Sequence, residues 1–227
     1  DPTITPTPDG PAPPLFLDPA SPGPPHGPTP PAPGYPKTKT FYSNHSACIS
    51  KDANTWDLAH DATEGDDCDN DLSERSHAVR SSRIDTLFSI DRTFFSFDLS
   101  SVPSDCTVTE ATVTLSCYQV SAAMRDIVLR LGLQRVPGKI GDFDAFGTTM
   151  SPNVTAAVGN IVFTIRSTRY TYIEQAFGGT MKFCIREQNS DDADFPPSDG
   201  TVYSAGIRLS GNATATLKPK LTMTYTK

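Results

Sequence analysis

Residues 92–103 read Arg92-Thr-Phe-Phe-Ser-Phe-Asp98-Leu-Ser-Ser-Val-Pro103, and their apolar period is two. In an extended chain Phe95, Phe97 and Leu99 share one face, and Phe94, Ser96 and Asp98 share the other. That is a strand with a buried side, closed by a serine-proline turn. The pattern recurs outward in both directions. Val113, Leu115 and Cys117 alternate with Thr112, Thr114 and Ser116; Ile127, Leu129, Leu131 and Leu133 alternate with Val128, Arg130, Gly132 and Gln134. Further runs are Ile161 to Ile165, Phe183 to Ile185, Tyr203 to Leu209 and Leu221 to Tyr225. Seven or more such strands, separated by Gly, Pro, Asn and Asp, predict an all-β antiparallel sandwich. One short helix is expected over Thr168–Phe177, where Tyr170, Ile173 and Phe177 keep helical spacing and Gly178-Gly179 supplies a stop.

The chain has 227 residues, and 15 of its 21 prolines fall in residues 1–37. Proline fixes φ and turns its predecessor away from the helix, so residues 1–37 are expected to be an extended arm in the polyproline II conformation. The arm cannot bury a core; its one apolar cluster is Leu15-Phe16-Leu17. Residues 38–227 then form the folded domain, long enough to bury roughly 70% of its unfolded surface.

The net charge is −7, and Lys and Arg form no cluster of the kind that neutralises phosphates, so nucleic acid is not an expected partner. No stretch approaches the ~20 apolar residues of a membrane span. The chain starts at Asp1, which suggests a processed N-terminus.

Five cysteines (48, 68, 106, 117 and 184) form no CxxC pair, and His26, His45, His60 and His77 stand at no zinc-site spacing. Oxidised pairing with one thiol left over is expected. Cys48–Cys68 is the favoured bridge, both residues lying in the loop-rich entry to the domain; Cys106 and Cys117 flank a single strand and are too far apart to join. Sequons stand at Asn44, Asn153 and Asn212. With the cysteines and the Thr-rich composition they point to an extracellular glycoprotein.

Arg92–Pro103 followed by Thr107-Val-Thr-Glu-Ala-Thr-Val-Thr-Leu115 resembles the DNRLRE-type domains, as do Met181–Arg186 after its short helix and the ending Leu217-Lys-Pro-Lys-Leu-Thr-Met-Thr-Tyr225. The likeness covers residues ~40–227. It implies a jelly roll similar to carbohydrate-binding modules, found in secreted and surface proteins of microbes. The literal DNRLRE string is absent, and residues 44–90 make a long acidic entry. The shared motifs specify a fold more than a ligand.

Candidate sites are few. Asp67, Asp69 and Asp71 at i, i+2 and i+4 offer oxygen ligands for a structural calcium, although Leu72 and Ala78 break the EF-hand pattern, and a solvated acidic loop fits the same residues. Asp191, Asp192 and Asp194 form a second acidic cluster ahead of Phe195-Pro196-Pro197. Trp56, the single tryptophan, is the candidate platform for stacking a sugar ring, with Tyr42 and Tyr118 secondary; the blander reading makes Trp56 a plug at one end of the sandwich. No G-x-S-x-G, H-E-x-x-H or Gly-rich phosphate loop occurs, and no enzymatic activity is expected. Two functions remain. The first is a non-enzymatic structural subunit of an extracellular fibre, sheath or virion-like assembly, a homo-oligomer or polymer held through the arm by Leu15, Phe16 and Leu17. The second is a carbohydrate-binding module with glycan partners and the arm as linker.

Overall fold

The computed structural model describes residues 34–227. Leu15, Phe16 and Leu17, with the rest of residues 1–33, lie outside the described residues. Thirteen strands follow in order: β1 (Lys37–Tyr42), β2 (His45–Ala53), β3 (Asp67–Asn70), β4 (Glu74–Ile84), β5 (Leu87–Asp98), β6 (Thr107–Val120), β7 (Asp126–Gly132), β8 (Phe146–Thr149), β9 (Val154–Thr155), β10 (Gly159–Thr164), β11 (Thr180–Glu187), β12 (Val202–Arg208) and β13 (Lys220–Thr226). Every pairing among them is antiparallel. The chain is therefore all-β, as its period of two predicts.

The longest strand, β6, organises one layer. β13 pairs along Thr107–Thr114 and β12 along Cys117–Val120, while β10 takes the other edge. β1 extends this layer beyond β13. The second layer is built on β5, with β2 on one edge and β4 and then β11 on the other, followed by β7 and β8. The β4–β12 pair joins the layers. Between them lies the main core, where Phe95, Phe97, Leu99, Val113, Leu115, Phe163, Phe183, Ile185, Ile207, Leu221 and Met223 are all buried. Phe97 and Phe183 meet edge to face at 5.9 Å between centroids, the favoured geometry for an aromatic pair.

The predicted helix is shorter than its periodicity suggests. A 3-10 turn at Ser167–Arg169 leads into α2 (Tyr170–Glu174), and the chain reverses at Gly178, whose φ is +75°. Ile173 and Phe177 do face the core. A second helix, α1 (Trp56–His60), was not expected from the sequence. It is capped by the Thr55 hydroxyl, which accepts from the Leu58 N–H.

The outer face of β5 also departs from expectation. Phe94 and Ser96 are buried as fully as Phe95 and Phe97. A cover of α1, the segment 135–146 and residues 188–194 lies over this side, and Phe94 joins Ile49, Trp56, Phe88, Ile90, Phe143 and Cys184 in a second apolar cluster. Leu133 falls past the end of β7 and is 58% exposed. β1 is an edge strand in which only Phe41 is buried. Its exposed Lys37 and Lys39 put charge on that edge and blunt it against unwanted pairing.

Candidate functional site: an arginine–aspartate centre under the loop cover

Three adjacent strands raise arginines on the covered face. Cys184 pairs with Phe94 on one side and Arg130 on the other, so Arg92, two residues from Phe94, and Arg186, two from Cys184, share the face of Arg130. Arg92 is 1% exposed and Arg186 4%. Guanidiniums this deep need counter-charges, and residues 188–192 deliver them.

Glu187, fully buried, accepts hydrogen bonds from the backbone N–H groups of Asn189, Ser190 and Asp191. This folds Gln188–Asp192 into a single π turn. Burial raises the Glu187 carboxyl, and the three N–H groups oppose that shift. The turn sets the Asp191 carboxylate between two guanidiniums, at 2.6 Å from Arg92 Nη2 and 2.7 Å from Arg186 Nη2. Asp192 takes Arg130, with Arg186 Nη1 3.4 Å away. Burial alone would raise the Asp191 carboxyl; Arg92 and Arg186 override it and hold the group far below the usual carboxylate range.

Aromatic rings complete the centre. The Arg92 and Arg186 guanidiniums lie 5.1 Å and 4.2 Å from the Phe146 ring centroid, and Arg92 lies 4.1 Å from that of Phe143, within cation–π range. Arg92 also donates to the backbone carbonyls of His60 and Phe143. His60 itself presents Nε2 to the Asp191 carbonyl at 2.9 Å and Nδ1 to Asp61 at 2.6 Å. A cleft of about 260 Å³ opens above, lined by His60, Arg92, Phe146 and the carboxylates of Asp61, Asp144 and Asp194.

The sequence candidates are distributed differently from their expected roles. Trp56 is 7% exposed; its ring stacks on His60 at 5.2 Å, meets Phe88 edge-on at 6.0 Å, and its Nε1 donates to Asp194 at 3.0 Å. No open face remains for a sugar, so the platform reading is replaced by the plug. Tyr42 is exposed on β1, and Tyr118 lies on β6 beside Arg208. Neither sits with Trp56.

The three aspartates of the calcium reading each contact protein groups. Asp69 pairs with Arg75, Asp71 accepts from the Ser46 N–H, the Ser210 hydroxyl and His45, and Asp67 accepts from the Cys68 N–H. Among the described residues no group of three His, Cys, Asp or Glu side chains converges as a metal site. The second acidic cluster, by contrast, supplies the centre: Asp191 and Asp192 are its anions, and Asp194 holds Trp56.

All five cysteines are free thiols. Ile49 pairs with Cys68 and Cys48 with Asp69, so Cys48 and Cys68 project from opposite faces of the β2–β3 ribbon and cannot join. Burial pushes the Cys48 and Cys184 thiols up to about 12. Asn44 and Asn153 are exposed. Asn212 is buried, its amide donating to the Ser73 carbonyl and its oxygen accepting from the Thr214 N–H, so in the fold its nitrogen is not free to carry a glycan.

A further buried carboxylate lies at the β4–β5 pair. Asp91 is 1% exposed, with Arg80 Nε 2.8 Å from Oδ2 but misaligned for a hydrogen bond. Burial raises its carboxyl to about 6, against the pull of Arg80 and Arg75. An acid whose folded value is raised stabilises below its unfolded value and loses that contribution as pH rises through the folded one. Stability is therefore expected to fall by roughly 2–3 kcal/mol between pH 4 and pH 6 from this residue. Urea midpoints measured across that range should show the fall in the native protein and its absence in Asp91→Asn. An unchanged slope in the variant would assign the fall elsewhere.

Against known protein families and curated proteins, the sequence matches no family model and no curated protein.

Proposed function

We propose that this chain is a non-enzymatic structural protein of an extracellular assembly, whose proline-rich arm contacts a neighbouring subunit. The carrying observation is the position of β1: the described chain enters through Gly34 and Lys37 directly into an exposed sheet edge. A proline-rich segment has little conformational freedom to lose, so docking it costs little conformational entropy. The saturation of Arg92, Arg186 and Asp191 by one another supports a structural centre over a catalytic one. The two-layer antiparallel sheet fits a jelly roll of the DNRLRE type, and the sequons at Asn44 and Asn153 fit a surface location.

A carbohydrate-binding module is the second reading. It is favoured by the cleft, where the carboxylates of Asp61, Asp144 and Asp194 stand beside the Phe146 ring, acceptors and an apolar face of the kind that sugars use. Sedimentation and negative-stain electron microscopy of the full chain, alongside a chain lacking residues 1–33, separate the two. A regular oligomer lost on deletion is expected. A chain that stays monomeric at high concentration and binds a glycan through Asp144 would reverse the order.

A further inference from the structure

A groove of about 310 Å³ runs between β7, β11 and α2, lined by Leu131, Leu133, Tyr172, Ala176, Met181 and Lys182. Leu133 is the anomaly that draws attention to it: the strand period places it inside, yet it is 58% exposed. Lys182 crosses the groove with its ammonium on the Gln134 carbonyl at 2.6 Å, and an ammonium retains two further donors.

We propose that this groove receives Leu15-Phe16-Leu17-Asp18 from a second copy of the chain, with Phe16 against Leu133 and Tyr172 and the Asp18 carboxylate on Lys182. The assignment rests on the assembly reading above and names its docking surface. Three observations select the occupant. First, the chemistry is complementary: an apolar triplet followed directly by a carboxylate matches a groove where Leu131, Leu133 and Tyr172 stand beside a lysine, with Gln175 and Thr180 completing a mixed lining, and it is the one apolar cluster of residues 1–33.

Second, the described chain begins, at Gly34, at the groove's end of the domain. Lys37 pairs with Tyr225 and Gly34 donates to the Lys227 carbonyl. Tyr225 also pairs with Val108, whose N–H donates to Glu174 of α2. The Phe177 ring, just past α2, lies 6.4 Å from that of Tyr225. Third, sixteen residues separate Leu17 from Gly34, and eight of them are proline. A proline-rich spacer of that length spans about 50 Å, whereas a domain of some 190 residues has a radius of gyration of about 16 Å. That is a maximal reach, and it is enough to meet the same groove on a neighbouring copy.

The test uses full-length chains and analytical ultracentrifugation over a concentration series, with thermal unfolding as a control for folding. Leu133→Glu, on an exposed side chain, and Phe16→Asp are each expected to weaken association at least tenfold with an unchanged thermal midpoint. Asp18→Lys and Lys182→Asp should each weaken it, and the double exchange should restore it. If deleting residues 1–33 dissociates the assembly while Leu133→Glu and Lys182→Asp assemble normally, the groove is the wrong surface and the assembly reading stands. If the wild-type chain is monomeric throughout, both fall. If it is monomeric and Leu133→Glu exposes residues 15–18 to proteolysis, the segment docks on its own domain and the second-copy assignment is overturned.

Discussion

Replacing Asp191 by asparagine is expected to lower the stability of the domain by about 3–5 kcal/mol at neutral pH, the usual loss when one partner of a buried ion pair is removed. Asparagine keeps the size of the side chain and removes its charge, so Arg92 and Arg186 are left facing each other with no anion between them. Both are almost wholly buried, so little hydration is on hand to replace the anion. Asp192 and Asp144 stand 3.4 Å and 3.7 Å from the two guanidiniums, but Asp192 is committed to Arg130 and Asp144 is over half exposed.

The pH dependence follows from the same contacts. The folded Asp191 carboxyl lies below its unfolded value, so its contribution is present above about pH 4 and is lost as pH falls through the acid range. The deficit of the variant, read from urea midpoints, should therefore shrink on acidification. A neutral-pH loss under about 1 kcal/mol would show that other acceptors satisfy the arginines. The centre need not make the fold more stable than apolar packing would, since a buried ion pair is weak evidence for net stability. It does fix how the cover seats: Arg92 reaches α1, the 135–146 segment and the π turn at once.

How much of this was legible in the sequence depends on the range of the interactions. The alternation in 92–99, 112–117 and 221–225 reports a local geometry, so the main core followed from it almost residue by residue. The same rule failed at Phe94 and Ser96, because it assumes that the second face of a strand meets water. What covers that face is set by residues 56–60, 143–146 and 188–192, 32 to 100 positions away from Arg92. Arg92, Arg130 and Arg186 did carry a signal: each stands in a strand rich in apolar residues, where a buried unpaired cation is not tolerated, and Asp191-Asp192 is the acidic pair that answers it. Matching the two needed the β5–β11–β7 register. The surroundings of the aspartate and cysteine candidates were illegible for a related reason. Spacing along the chain cannot tell that Asp69 faces Arg75, or that Cys48 and Cys68 leave opposite sides of one ribbon.

The tryptophan makes the sharpest separation between plug and platform. Trp56→Ala is expected to cost about 3–5 kcal/mol, the range for deleting a large aromatic side chain from a core, because its ring fills the space between His60 and Phe88. An exposed sugar platform would lose affinity on the same substitution and little stability. Trp56→Phe keeps most of the ring and removes the hydrogen bond from Nε1 to Asp194; its cost should be nearer 1 kcal/mol. Both are read by far-ultraviolet dichroism in urea, since the variants lack the only indole. In the native chain that indole reports on the cover alone. Its fluorescence transition should coincide with the dichroism transition, because the arginines of β5, β7 and β11 tie the cover to the sheet and make the two unfold together. A fluorescence change at distinctly lower urea would mean that the cover opens as a unit of its own, and would remove the ground for assigning Arg92 and Asp191 the task of fastening it.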